Sequence, residues 1–178
     1  MDRRAFLAAA GATVSTALAG CASGDGRGYD VAMVSNAFLP VDTVTVPPTA
    51  PTWIPERAPT VEVQVGDDVV WENTDSRVHT VTAATRQHPE AEAMLGPNSE
   101  TTDGAVPRLP SGEAFFASGD FTDELAAVAA FFDRLNGGGA IPPGEQFVHE
   151  FSEPGWYHYY CIPHETAGMA GNVHVLDG

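Results

Sequence analysis

Lysine is missing from this chain: all eight basic residues are arginines, set against 24 Asp plus Glu for a net charge of −16. A chain so short of positive charge repels phosphate backbones, which excludes nucleic acid as a partner. Its self-repulsion is screened near 1 M salt, where the Debye length is about 3 Å, so the composition reads as the solvated surface of a protein that works in high salt. An acidic docking face for a basic partner is compatible with that reading. Cysteine is scarce too, with two residues in 178, and this excludes a disulfide scaffold. Long apolar runs are also lacking: the weakly apolar stretch near the N-terminus falls short of the roughly 20 residues that a bilayer span needs.

That N-terminal stretch has a different use. Asp2-Arg3-Arg4-Ala5-Phe6-Leu7, an Ala-rich run and Leu18-Ala19-Gly20-Cys21 describe an export signal, so residues 1–20 are set aside from the fold. The Arg-Arg-x-Phe-Leu pattern resembles a twin-arginine signal, and Leu-Ala-Gly-Cys resembles a lipobox. The expectation is a lipoprotein cut before Cys21, lipidated there and held on the outer face of the cytoplasmic membrane; an uncleaved anchor helix is the alternative. Residues 21–30 then form a flexible tether rich in Gly and Ser, and 31–178 are long enough for one compact domain. Without residues 1–20 the net charge is −17, from six arginines and 23 acids.

Spending Cys21 on a lipid leaves Cys161 with no intramolecular partner. A lone thiol in an exported protein is open to oxidation, and metal ligation is one reason to keep it; a buried inert Cys is the bland alternative. The neighbours of Cys161 favour ligation. Cys161-Ile162-Pro163-His164-Glu165-Thr166-Ala167-Gly168-Met169 offers a thiolate, an imidazole and a thioether within nine residues. Sulfur donors suit Cu(I) and imidazole suits either copper state, and two imidazoles, one thiolate and a weak axial Met make an electron-transfer site. A second His has to come from elsewhere, and His79, which opens a strand after the polar turn Asn73–Arg77, could be a rigid ligand.

The apolar pattern is mostly of period two. Val61, Val63 and Val65 alternate with polar residues, Gly66-Asp67-Asp68 turns the chain, and Val69–Asn73 continues, a pattern that reads as a hairpin. Further strands are expected at 78–82, 146–151, 156–161 and 172–176. Many short strands predict an all-β fold, a Greek-key sandwich of two antiparallel sheets. Two stretches break the rhythm. Residues 47–59 carry five prolines and read as a surface excursion, and about 83–143 form an inserted loop. Within that insertion a short helix is expected from Thr122 as cap, with Leu125, Val128, Ala129, Phe132 and Leu135 on one face and Gly137-Gly138-Gly139 as its end. That face packs on the sandwich or, alternatively, docks a partner.

Three blocks carry a resemblance to a known family: Gly66-Asp67-Asp68-Val69-Val70-Trp71-Glu72-Asn73 running to His79, Gly144-Glu145-Gln146-Phe147 running through Pro154-Gly155-Trp156-Tyr157 to Cys161-Ile162-Pro163-His164, and Ala167–Val173 around Met169. The chain resembles the plastocyanin-like cupredoxins, and within them the halocyanins, membrane-associated blue copper proteins of halophilic archaea. The resemblance covers about 60–82 and 144–176; 83–143 depart from the short connection usual in plastocyanins. It implies one copper ion cycling between Cu+ and Cu2+, with His79 and His164 as imidazole ligands, Cys161 as the short thiolate and Met169 as the long axial ligand. It also implies that Asn73 ties the ligand loops together and that a backbone N–H near Thr80 bonds the Cys161 sulfur; Thr80 stands where plastocyanins usually have Asn.

The edge of the His164 ring is the short electron path, and strand alternation puts Tyr160 on the outward face beside the ligand, a second candidate port. By the same alternation His158 and His174 should face solvent, His149 reads as an interior imidazole, and His88 lies in a loop. The function expected is a non-enzymatic one-electron carrier between a redox donor and acceptor at the membrane. A relay within a copper enzyme would need a second copper centre, and the chain has no His-x-His pair; a copper-buffering protein would be richer in Met than these four.

Overall fold

Tyr157, Tyr159 and Trp71 pack at the centre of a sandwich whose two faces come from alternate residues of short strands, as the period-two pattern requires. The computed structural model describes residues 27–96, 107–133 and 137–178. The expected signal peptide, Cys21 and most of the tether lie outside them, as does Leu135. One sheet has the order β2-β1-β4-β6, from Ala37–Pro40, Val31–Val34, Asp68–Asn73 and Gln146–Glu150. The other has the order β3-β8-β7-β5, from Thr60–Gln64, Ala170–Leu176, Gly155–Tyr160 and Thr82–Ala83. Between them Trp71 meets Tyr159 edge-on at 5.3 Å and Phe147 at 5.7 Å between ring centres. Among the described residues no helix is long and apolar enough to cross a membrane.

The sandwich was expected, but three local readings are corrected. The sheets are mixed rather than antiparallel, because β1 runs parallel to β4 and β3 parallel to β8. Residues 61–73 are not a hairpin: β3 and β4 lie in different sheets, and Gly66-Asp67 carries the chain across the sandwich edge. There the Gly66 N–H donates to the Phe151 carbonyl (2.8 Å) and the Phe151 N–H to that of Asp67 (3.1 Å), so the turn binds β6 rather than closing its own ladder. The expected strand 78–82 shrinks to β5 plus an isolated bridge between His79 and Ile141. The reason lies in its backbone donors: the Thr80 N–H goes to the Cys161 sulfur and the Val81 N–H to Ser118 Oγ. Donors spent on side chains cannot build a ladder.

The insertion builds a second, smaller core on the outer face of the β7 sheet. Among the described residues it contains two helices, α1 (Pro89–Leu95) and α2 (Glu124–Asp133). The α2 cap is Asp123, whose Oδ1 accepts the Ala126 N–H at 2.8 Å, one residue later than the expected Thr122. Ala127, Val128 and Phe131 of α2 pack with Ala91 and Leu95 of α1 against Tyr160 and Ile162, while Phe132 of the expected face stays 44 % exposed. Gly138 lets the chain pass α2 closely, since a Cβ there would stand 2.3 Å from the Ala130 carbonyl carbon.

Tyr160 is therefore fully buried, not exposed. Alternation put it on the outer face of β7 correctly, but that face is covered. His158, on the same face, is likewise buried and donates from Nδ1 to Asn172 Oδ1 at 2.9 Å in its uncharged tautomer. His174 stays partly exposed, stacked on Trp156 at 4.1 Å and paired with Glu62. His149 lies over Phe116 with ring centres 4.5 Å apart, at the rim of the core.

Candidate metal centre

At one end of the sandwich, β7 runs out at Tyr160 and delivers Cys161 into the core. Pro163 starts a short 3-10 helix, Ile162–Ala167, whose first turn carries His164, and Gly168 ends it in the left-handed region at φ 81°. The His164 N–H donates to the Cys161 carbonyl (3.0 Å), the Met169 N–H to the His164 carbonyl (3.1 Å), and the Cys161 N–H to the Met169 carbonyl (3.0 Å). These bonds close the loop on itself. Met169 is buried in the same core cluster as Cys161.

His79 reaches this loop along the segment that leads into β5, the neighbour of β7 in its sheet. The ligand-capable atoms of His79, Cys161 and His164 all lie within 4.8 Å of one another. Cys161 Sγ stands 3.3 Å from His164 Nδ1 and 3.7 Å from His79 Nδ1, and the two imidazole rings are 4.8 Å apart at an angle of 45°. His79 and Cys161 are fully buried, and His164 is half-buried.

The two imidazoles, unlike the thiol, are already in their metal-binding form. Burial pushes the Cys161 thiol up to about 11, against the opposing N–H bond from Thr80. Burial also lowers both imidazoles below the ordinary histidine value, so they are neutral at pH 7 with lone pairs free to donate. A buried thiol and two neutral imidazoles facing one point, with a thioether in the adjoining turn, form a donor set that fits a copper ion.

The surroundings hold the donors in place. The Thr80 N–H donates to Cys161 Sγ at 3.3 Å, and the Thr80 hydroxyl accepts the Ile162 N–H at 2.8 Å, so this side chain stitches the His79 segment to the His164 loop. Asn73 Nδ2 donates to the carbonyls of Arg77 and Ile141, both at 2.7 Å, and its Oδ1 accepts the Asp75 N–H at 3.0 Å. Asp75 escaped the sequence reading. Its Oδ2 lies 3.3 Å from His79 Nε2, which fixes the proton on that nitrogen and turns Nδ1 toward the sulfur. The N–H groups of Ser76 and Ser35 hold the Asp75 carboxyl well below the usual carboxylate range. An acid four residues before a candidate His ligand was the available signal.

Residues 57–176 match the family of copper binding proteins described as plastocyanin/azurin. Among similar curated proteins, plastocyanin B'/B'' of Nicotiana tabacum is 49 % identical over 43 residues, 24 % of this chain and 38 % of that protein. Plastocyanin of Rumex obtusifolius is 52 % identical over 33 residues, 18 % of this chain and 33 % of that one. The chain thus spans under two-fifths of the length of these relatives. Similar solved structures include a purple cupredoxin from Nitrosopumilus maritimus, with 24 % identity, 66 % of this chain and 77 % of that chain covered, and a TM-score of 0.37. An oxidised mutant of amicyanin shows 19 % identity over 88 % and 89 % of the two chains, with a TM-score of 0.42.

Proposed function

This chain belongs to the plastocyanin/azurin family of copper-binding proteins, and on that premise we propose that it is a one-electron carrier with a single type 1 copper held by His79, Cys161, His164 and, weakly, Met169. The observation that carries the reading is the buried convergence of His79, Cys161 and His164 with the Thr80 N–H on the sulfur. Copper bound there supplies a Cu+/Cu2+ couple, which transfers one electron without bond-making in a substrate.

The protein's own groups give that couple its working conditions. Cys161 is a thiol at neutral pH in the metal-free chain, so loading copper displaces its proton. The Thr80 N–H then stabilises the thiolate, and Asp75 and Asn73 keep the His79 ring oriented. Hydrogen bonds on every side of the ligand loop resist rearrangement between oxidation states, which favours fast exchange. His164 is the only half-exposed member of the trio and is the electron port of this reading; with Tyr160 buried, a second port there is not carried forward.

The physiological setting belongs to the same proposal. The acidic, lysine-free composition and the Cys21 signal support a halocyanin-like protein, lipid-anchored outside the cytoplasmic membrane and exchanging electrons with membrane redox partners. Voltammetry of the copper-loaded protein should give a reversible one-electron wave. Copper released on each reduction would favour buffering instead. For the anchor, Cys21→Ala should shift the protein from membrane to soluble fraction; unchanged membrane association would remove lipidation at that residue.

A further inference from the structure

Arg86 lies in the insertion, outside the metal centre, yet its side chain is 3 % exposed and ringed by groups that lead back to the ligands. Its backbone takes the left-handed conformation, φ 49°, uncommon for a residue with a side chain. Its N–H donates to Glu124 Oε2 at 2.6 Å, and its guanidinium lies over the Tyr160 ring, 4.9 Å from the centroid. Nη1 stands 3.8 Å from Glu124 Oε1, the same atom that accepts the Tyr160 hydroxyl at 3.0 Å. Nη2 pairs with Glu165 Oε1. Glu165 is the residue after His164, and Tyr160 the residue before Cys161.

We propose that Arg86 is a positioning residue of the metal centre: through Glu165 it latches the loop that carries His164 and Met169, and through Glu124 and Tyr160 it ties that loop to the inserted segment.

Packing alone does not fix this side of the loop. Arg86 and Glu165 form part of the wall of a cavity of about 160 Å3, together with His158, Tyr160, Gly168 and Arg57. Open space beside the loop means that no packed neighbour resists its displacement on that side. The ion pair closes off that movement, because Glu165 is 5 % exposed and without Arg86 its carboxyl loses the partner that holds it at this buried position. Such a displacement acts on His164 through one peptide bond. The departure of 83–143 from the short connection of plastocyanins thereby gains a use: it brings a cation to the back of the ligand loop.

The test compares Arg86→Met, Arg86→Lys and Glu165→Ala. In copper-free protein, amide hydrogen exchange at Cys161, Gly168 and Met169 should speed up at least tenfold in Arg86→Met, with amides of β1 and β4 unchanged, and Arg86→Lys should recover most of the protection. In the copper-loaded protein, a tenfold change in the ratio of Cu+ to Cu2+ affinity would shift the reduction potential by about 59 mV. Glu165→Ala cuts the latch from the loop side and should reproduce the effect even where Arg86→Met fails to fold. Uniform loss of protection across both sheets, or an unchanged loop and potential in Glu165→Ala, would overturn the proposal. The exchange measurement needs no copper, so its result stands apart from the carrier reading.

Discussion

Replacing Glu124 with Ala removes the acceptor that joins the insertion to the sandwich. Its carboxylate is fully buried and takes hydrogen bonds from the Thr85 N–H (3.2 Å), the Thr85 hydroxyl (2.9 Å), the Arg86 N–H (2.6 Å) and the Tyr160 hydroxyl (3.0 Å). A buried donor left without a partner costs about 1–3 kcal/mol, and the Thr85 hydroxyl can rotate to another acceptor while the two backbone donors and the phenol cannot easily do so. With partial rescue by water entering the vacated space, the expected destabilisation is about 4 kcal/mol, in the range measured for breaking a buried ionic network. Urea unfolding of the copper-free protein, followed by tryptophan fluorescence, should show a midpoint lower by about 2 M for a slope near 2 kcal/mol/M. Glu124→Gln keeps one acceptor oxygen and should fall about halfway. A midpoint in Glu124→Ala within about 0.3 M of the parent, the size of an ordinary surface substitution, would refute the claim that this carboxylate fastens the insertion.

Further expectations follow from other contacts. His158 is buried in its neutral form, and burial lowers its pKa to about 4; an unfolded histidine takes a proton near 6.5, so stability is intact above pH 6.5 and about 3 kcal/mol is lost as pH falls to 4. Urea titrations at both pH values should show that loss, and His158→Gln should lack this share of it. Met169→Leu should keep copper and the blue colour but raise the potential, because the donor that helps Cu2+ is gone; each tenfold change in relative affinity is about 59 mV, and loss of copper would show that Met169 was wrongly assigned. Gly171→Ala would place a Cβ 2.5 Å from the Tyr159 ring and hydroxyl, so a fall in thermal midpoint of several degrees, about 2–4 °C per kcal/mol, is expected by calorimetry.

The donors closest in sequence were the easiest to read. Cys161, His164 and Met169 share one turn-rich loop, so spacing alone grouped them. His79 entered through its polar turn and the family resemblance, since a contact between residues 79 and 161 depends on β5 pairing with β7, a partner far away in the chain. Strand alternation put Tyr160 and His158 on one face of β7, and the structure buries Tyr157, Tyr159 and Cys161 on the opposite, core-facing side. Alternation said nothing of what lies on the Tyr160 face, and the exposure of Tyr160 and His158 was misjudged for that reason. Glu124 shows the same limit: at a helix start an acid suits the dipole, and only the docked insertion makes it a buried acceptor. The turn at Gly66-Asp67 looked like a hairpin because local turn chemistry does not record which sheet the next strand joins.

Copper reconstitution read by visible absorption tests the centre most directly. One copper per chain should produce an intense blue thiolate-to-copper band that bleaches on reduction, returns on reoxidation and is absent in Cys161→Ser. A colourless or labile complex, or a band that survives Cys161→Ser, would contradict the assignment of this loop and His79 as an electron-transfer centre.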